Sequence, residues 1–494
     1  MKNLNFKAMT PIKSVTLVTL FAVLFMSCDD FGNLNNDPNN PSQVRTELLL
    51  TNAERSIDNV VGATTGTLLV QYIGETQYTD AQEYRNMNAN FNGWYTGPLQ
   101  SLQTIINLNS DPETAPDVLS GGSNANQIAV ARILKAYFYQ MMTDRWGMIP
   151  YSEALQGRDN FSPAYDLQED IYADIINELK EAVNQMDGGT GVRGDILFDG
   201  DMDQWALFAN SLRARAALRI ADANPSLAAS EFADAVSDGL ISEDVMYPYL
   251  AEANNQNPWY ARFQTRTDYA IHKTIADYMK DLEDYRILVY ANPAPNYSDN
   301  DPEVTFDEIQ GMPFLEDAGE LTNDEISFPG AAIGGGGPAV GDQGADLPII
   351  TVAEMHFAMA EASERGWIAD DAETHYLAGI EASWNQWGVY DADNFADYIA
   401  QAEVAYDPAV WDEKIGNQKW IALFPHGYEG WAEWRRLGYP ELTPNPFGVG
   451  VEPEIPVRFT YPTSEATINQ DNYEAAVQAQ GPDTPYTRVW WDVN

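Results

Sequence analysis

Residues able to make or break bonds are scarce in this sequence. Four histidines stand at positions 272, 356, 375 and 426, and none forms HExxH or another metal-ligand spacing. No GxSxG places a serine on a nucleophile elbow. Two carboxylates suffice for a glycosidase, but among 74 acidic residues suitable pairs arise by chance and carry no weight. The run SFPGAAIGGGGPAVGDQGADLP (327–348) is glycine-rich yet has no lysine nearby, so it is no phosphate loop and is expected as a flexible rim loop. DADNFADY (391–398) and NYSDNDPE (296–303) are rich in oxygen ligands. Neither has the glycine and terminal glutamate of a calcium loop. No cofactor is expected, and calcium is kept only as a lesser alternative.

Binding chemistry is better represented than catalysis. NANFNGWYTGPL (88–99) sets Asn92, Trp94 and Tyr95 among amides and glycines. QYTDAQEYR (77–85) contributes Tyr84 and Arg85, and NNQNPWYARF (254–263) contributes Trp259, Tyr260 and Arg262. Rings flanked by amides and guanidinium suit sugars. The ring face meets C–H groups while the polar side chains take the hydroxyls. The plainer alternative is that these tryptophans plug a core edge, where Trp is usually found. The WAEW run at 431–434, followed by Arg435 and Arg436, reads instead as core plus structural ion pairs.

Helices must position these groups. In NQIAVARILKAYFYQMMTDRWG, Val130, Leu134, Tyr137 and Met141 recur at helical spacing and draw one apolar face, ended by Gly147 and Pro150. Further helices are expected over 167–186, over 201–225 with an N-cap at Asp203, and over 266–290. A hairpin is expected from 352–367 and 371–389. Short strands are expected at 458–462 and, more weakly, 196–200. The fold class is therefore mainly α, with degenerate tetratricopeptide-like hairpins and long irregular excursions at 291–348 and 438–470.

The opening segment explains the only cysteine. Lys2, Lys7 and Lys13 precede an apolar run from Val15 to Met26, too short for a comfortable membrane span and laid out as an export signal. Ser27-Cys28 at its end fits a lipoprotein signal, in which the Cys28 thiol is acylated. Phe25 departs from the aliphatic residue usual at that place. Residues 1–27 are expected as signal peptide, 28–45 as a lipidated flexible tether and 46–494 as a single domain. With one cysteine, no disulfide can form within the chain. The formal charge of −47 becomes three units more negative once the signal and its three lysines are removed. Such a surface repels phosphate backbones, which excludes nucleic acid as a partner. It equally repels an anionic bilayer, so lipid and not charge must hold the protein there.

Several stretches together resemble the SusD/RagB-like nutrient-binding outer-membrane lipoproteins of Bacteroidetes, in particular the second SusD-like subfamily. They are SCDDFGNLNNDPNNP, AVARILKAYFYQMMTDRWGMIPYSEAL, GDILFDGDMDQWALFANSLRARAALRI, PIITVAEMHFAMAEASERGW, IGNQKWIALFPHGYEGWAEWRRLGYP and RVWWDV. The resemblance spans the chain in the family's order. It implies four tetratricopeptide-like hairpins and an anchor on the outer leaflet of the outer membrane. It implies a SusC-like TonB-dependent transporter as partner and capture of oligosaccharide or polysaccharide, or in some systems peptide, without catalysis. Asp29-Asp30 resemble the acidic surface-export signal of such lipoproteins. A lipid-anchored polysaccharide-degrading enzyme is the contrasting alternative. Ligand residues transfer only by region, to Asn92, Trp94 and Tyr95 and to Trp259, Tyr260 and Arg262.

Overall fold

The computed structural model describes residues 44–298, 304–315, 321–337, 341–450 and 453–493. The expected signal segment, Cys28 and most of the expected tether lie outside the described residues. Residues Thr46–Asn494 form one compact unit.

Four helical hairpins frame that unit. They are α1 (Asn124–Trp146) with α2 (Gln168–Gln185), α3 (Met202–Arg219) with α4 (Pro225–Asp238), α5 (Val352–Glu364) with α6 (Ala372–Gln386), and α7 (Trp411–Ala422) with α8 (Gly427–Leu437). Local chemistry sets their ends. Ser123 caps α1 by accepting from the Asn126 N–H, and Gly147 stops it at φ 75°. Asn224 caps α4 ahead of Pro225, whose fixed φ suits a first turn. Thr351 caps α5 and Asp371 caps α6. The cap of α3 is Asp201, not Asp203: its carboxylate takes the N–H groups of Asp203 and Gln204.

Helix α1 has more than the single apolar face expected of it. From Ala129 to Trp146 it is buried on nearly every side, because α2, α3 and the helix Gln100–Ser110 all pack on it. Its polar positions are therefore interior. Charge is buried elsewhere too. Arg215 of α3 pairs with Glu354 of α5 at 2.6 Å, Arg436 of α8 with Glu361 of α5 at 2.5 Å, and Lys419 of α7 with Glu433 of α8 at 2.7 Å. Burial alone would raise the Glu429 carboxyl, but Arg219 and Arg215 hold it down to about 2. The expectation for 431–436, core plus ion pairs, matches what these residues do: Trp431 is fully buried and Arg435 and Arg436 nearly so.

Strands are short two-stranded ribbons. β1 (Ile73–Glu75) pairs antiparallel with β5 (Tyr269–Ile271), β2 (Ile149–Pro150) with β3 (Tyr165–Asp166), and β4 (Val245–Tyr247) with β6 (Leu347–Ile350). The helix expected over 266–290 is replaced by β5, a helix at Lys273–Asp281 and a short turn at Ile287–Tyr290. Residues 269–271 find a partner strand whose hydrogen bonds outcompete local helix formation, and Glu283 breaks the run at φ 50°. The strand expected at 458–462 amounts to one bridge between Asn88 and Thr460, and 196–200 is turn.

The glycine-rich run is not a rim loop over its described part. Phe328, Pro329, Ile333 and Gly334 are buried, and the Gly330 N–H donates to the Tyr290 carbonyl at 2.8 Å. Gly334 sits against the Asn257 side chain so closely that a Cβ would lie 2.2 Å from it. The glycines serve close packing.

Candidate functional site

The β1–β5 ribbon brings together two of the aromatic segments that the sequence holds nearly two hundred residues apart. Register places Glu75 opposite Tyr269, so the loop after β1 lies beside the loop before β5. Side-chain and main-chain bonds then fix them. The Thr76 N–H donates to the Asp268 carbonyl at 2.9 Å, and the Thr76 hydroxyl donates to the Thr267 carbonyl at 2.5 Å. Asn323 donates its amide to the Thr267 hydroxyl at 2.8 Å.

Glu75 holds the first loop from inside. Its carboxylate accepts the Ala81 and Gln82 N–H groups at 3.1 and 3.0 Å. The Gln82 amide bonds the Glu75 backbone in both directions, donating to its carbonyl at 3.2 Å and accepting its N–H at 2.8 Å. Burial raises the Glu75 carboxyl from 4.5 to about 7, against the lowering effect of those two N–H groups.

On this support stands Tyr78. Its side chain is 67% exposed, and its backbone is left-handed at φ 56°. A tyrosine there is strained, and such strain persists only where surrounding bonds impose it. The Arg266 guanidinium lies 4.7 Å from the ring centre, and its Nε bonds Asp268 at 2.7 Å. Arg85, half-exposed on the same loop, pairs with Glu83 at 2.7 Å and lies 3.6 Å from Asp80. An open ring, the Arg266 guanidinium, the Asp268 carboxylate and the Asn323 amide thus stand together, with Arg85 farther along the same loop. The ring can stack on an apolar face, and the polar groups can take hydroxyl or amide partners.

The residues expected from sequence fall into different classes. Arg85 is half-exposed on the loop that carries Tyr78, tied to Glu83. Tyr84 is not open to solvent: its ring is buried against Gly448 and its hydroxyl accepts the Asn445 N–H at 2.9 Å. Trp259 is a correction as well. It is fully buried, edge-on to Tyr269 at 5.9 Å, because Asn257 caps the short helix Pro258–Phe263 and turns the indole inward. Arg262 covers that indole at 4.7 Å and donates to the Gly62 carbonyl at 2.9 Å, which makes it a packing residue. Tyr260 is half-buried. Asn92 opens and Trp94 closes the helical turn Asn92–Trp94, and both are half-buried. The Trp94 ring rests on Phe138 at 5.7 Å and on the Arg145 guanidinium at 5.4 Å. Tyr95 donates its hydroxyl to the Pro150 carbonyl at 2.5 Å.

Sequence reasoning missed Tyr78 and Arg266. Tyr78 lay inside a quoted stretch, but only pairing of β1 with β5 reveals its partner. It also missed a cleft of about 880 Å³ beside the 254–256 amides, with Tyr247, Tyr249 and Phe198 in its wall. Tyr247 and Tyr249 stand 4.7 Å apart, and the Tyr249 hydroxyl donates to Asp58 at 2.6 Å. No group of three or more potential metal ligands is present among the described residues.

A family model described as starch-binding and associating with the outer membrane, of the SusD-like kind, matches residues 38–462. The chain belongs to the SusD-like family. Solved structures agree in fold. A chitin-binding protein is 26% identical with a TM-score of 0.74, over 91% of this chain and 100% of its own. A chitin-binding SusD homologue from Flavobacterium johnsoniae is 24% identical with a TM-score of 0.73, over 91% and 99%. A SusD homologue from Bacteroides fragilis is 24% identical with a TM-score of 0.76, over 91% and 99%. No curated protein gives a significant match. The mainly helical, hairpin-based architecture expected from sequence is that of this SusD-like fold, and family and neighbours alike point to a nutrient-binding protein of the outer membrane. No described helix is long and apolar enough to cross a membrane.

Proposed function

We propose that this protein is a cell-surface lipoprotein that captures oligosaccharide or polysaccharide and delivers it to a SusC-like TonB-dependent transporter. The observation that carries the glycan reading is the exposed Tyr78 ring, held in a strained backbone against the Arg266 guanidinium. Family membership and the chitin-binding relative at 26% identity support it. The lipid anchor rests on the signal layout ending at Cys28.

The role is binding without catalysis. Glu429 and Glu433 have acid/base spacing on one helix face, but Arg219, Lys419 and Arg436 tie them up as ion pairs. His272 and His426 are buried, and burial lowers them to about 3 and about 4, so they are neutral at pH 7.

The test is affinity electrophoresis of the soluble chain through gels containing starch, chitin derivatives, fructan or galactan. Tyr78→Ala and Arg266→Ala run beside the parent. Retardation by one polysaccharide, relieved by both substitutions, is the expected result. Retardation by none, together with binding of basic peptides, would move the cargo to peptide, which the charge of −47 would suit. Shortening of the polymer would revive the enzyme alternative. The delivery step is tested by co-isolation of the transporter from membranes.

A further inference from the structure

Between α1 and the start of α8 lies a cavity of about 20 Å³. That is room for one water or one monatomic ion. Its wall includes Tyr137, Gln140, Arg145 and His426, each at most 4% exposed. Each of the four has a buried polar atom without a hydrogen-bond partner: Tyr137 Oη, Gln140 Nε2, Arg145 Nη2 and His426 Nε2. Buried polar atoms left unpaired are costly, so four around one cavity call for an occupant.

The chemistry of the four atoms selects its sign. Gln140 Nε2 and Arg145 Nη2 only donate. The His426 Nδ1 accepts the Glu429 N–H at 3.4 Å, which leaves the proton of the neutral ring on Nε2. The Tyr137 hydroxyl can donate as well. Even with the Tyr137 hydroxyl accepting from a water, three donors would remain for an oxygen with two lone pairs, whereas a halide can accept from all four. The carboxylates in the wall are engaged elsewhere. Asp144 accepts from Tyr172 and lies 3.3 Å from Arg219, and Glu429 lies 2.5 Å from Arg219 and 3.8 Å from Arg215.

Charge points the same way. Arg215 and Arg219 are each paired with carboxylates, but Arg145 has no ion pair among the described residues. Its guanidinium instead donates through Nε to the Met141 carbonyl at 3.0 Å, bonds the Tyr428 side chain, and is enclosed by rings, 4.3 Å from the centre of Tyr428, 5.1 Å from Trp146 and 5.4 Å from Trp94. Rings stabilise a buried cation only partly. The protein's surface is strongly acidic, but its field is screened over about 8 Å at physiological salt.

We infer that this cavity is a binding site for one small monovalent anion, chloride in saline surroundings, held by Arg145, Tyr137, Gln140 and His426. The anion neutralises Arg145 in the interior of the helical frame. This site is separate from the Tyr78 surface and does not depend on the glycan reading.

Crystals of the intact folded chain grown in bromide in place of chloride test it directly. An anomalous peak in the cavity within hydrogen-bonding reach of Arg145 is expected. Density with no anomalous signal would mean water only and would overturn the proposal. Thermal melting in chloride against gluconate at equal ionic strength gives a second readout. Above its Kd, each tenfold rise in chloride should raise the folding constant about tenfold, and identical curves in the two salts would count against the site. Gln140→Leu, which removes one donor and keeps Arg145, should weaken the chloride dependence. Arg145→Met should abolish it, and should that variant fail to fold, the bromide map of the parent still decides.

Discussion

Arg266 lies 4.7 Å from the ring centre of Tyr78, across two loops joined by the β1–β5 ribbon. The pair is 188 residues apart in sequence. Its ring is open to solvent, and its guanidinium is steered by Asp268 at 2.7 Å. This contact turns two unremarkable loops into one surface with a stacking face and polar edges. Tyr78→Ala should weaken glycan binding by about 1–3 kcal/mol, the usual worth of a central aromatic contact. Unfolding stability should change little, since the ring is mostly exposed. Binding isotherms and a denaturant midpoint, measured on the same preparation, check both parts.

Glu75 makes the support of that surface pH-sensitive. Its folded pKa of about 7 lies above the ordinary 4.5. A carboxyl raised in this way binds its proton more tightly when folded. Its contribution to stability is therefore fully present below pH 4.5, falls as pH rises, and is gone above pH 7. The span is on the order of 3 kcal/mol. The carbon chemical shift of the Glu75 carboxyl should titrate near pH 7, and Glu75→Gln should flatten the local pH dependence. A midpoint near 4.5 would show the loop to be open to water.

Trp259 makes the opposite prediction from Tyr78. It is a core residue, and truncation to alanine should cost about 3–5 kcal/mol of stability. Affinity per folded molecule should stay within twofold. Urea unfolding and active-site titration separate the two effects.

How much of this was legible in the sequence follows from these same residues. Hairpins with caps and helical periodicity, such as 352–364 with 372–386, are written locally and could be read. The core role of Trp431 with Arg435 and Arg436 could be read too, because the WAEW run and its adjoining arginines fall within two turns of one helix. What could not be read was pairing at a distance. Trp259 looks like a sugar platform among Asn, Gln and Tyr, yet the Asn257 cap rotates it inward. Tyr78 looks ordinary until β1 finds β5. The glycines of 330–337 suggest freedom, and only the Asn257 contact shows that they are there for closeness.

Buried charge in the frame gives a further test. Arg436→Met would leave Glu361 and Glu433 facing each other without that guanidinium. Breaking one partner of such a buried pair typically costs about 3–5 kcal/mol. Replacing Arg436 and Glu361 together with apolar residues should recover part of the loss. The two unfolding curves distinguish these outcomes.

The proposed lipid anchor is tested through residues 28–30. Cys28→Ala should move the protein from the membrane fraction to the soluble fraction of whole cells. Retention in the membrane fraction would count against acylation at Cys28. Replacing Asp29 and Asp30 with alanine should cost access of external protease to the protein while leaving it in membranes.

The most direct measurement is titration calorimetry of the soluble chain and of Tyr78→Ala against chitin oligomers, glucans, fructans, galactans and mixed peptides. The account predicts heat from one glycan class and an affinity at least about fivefold lower in the variant, at unchanged stability. Equal affinities in the two proteins would remove Tyr78 from the site and move the search to the cleft at Tyr247 and Tyr249. Silence toward every glycan with heat from peptides would contradict the central claim.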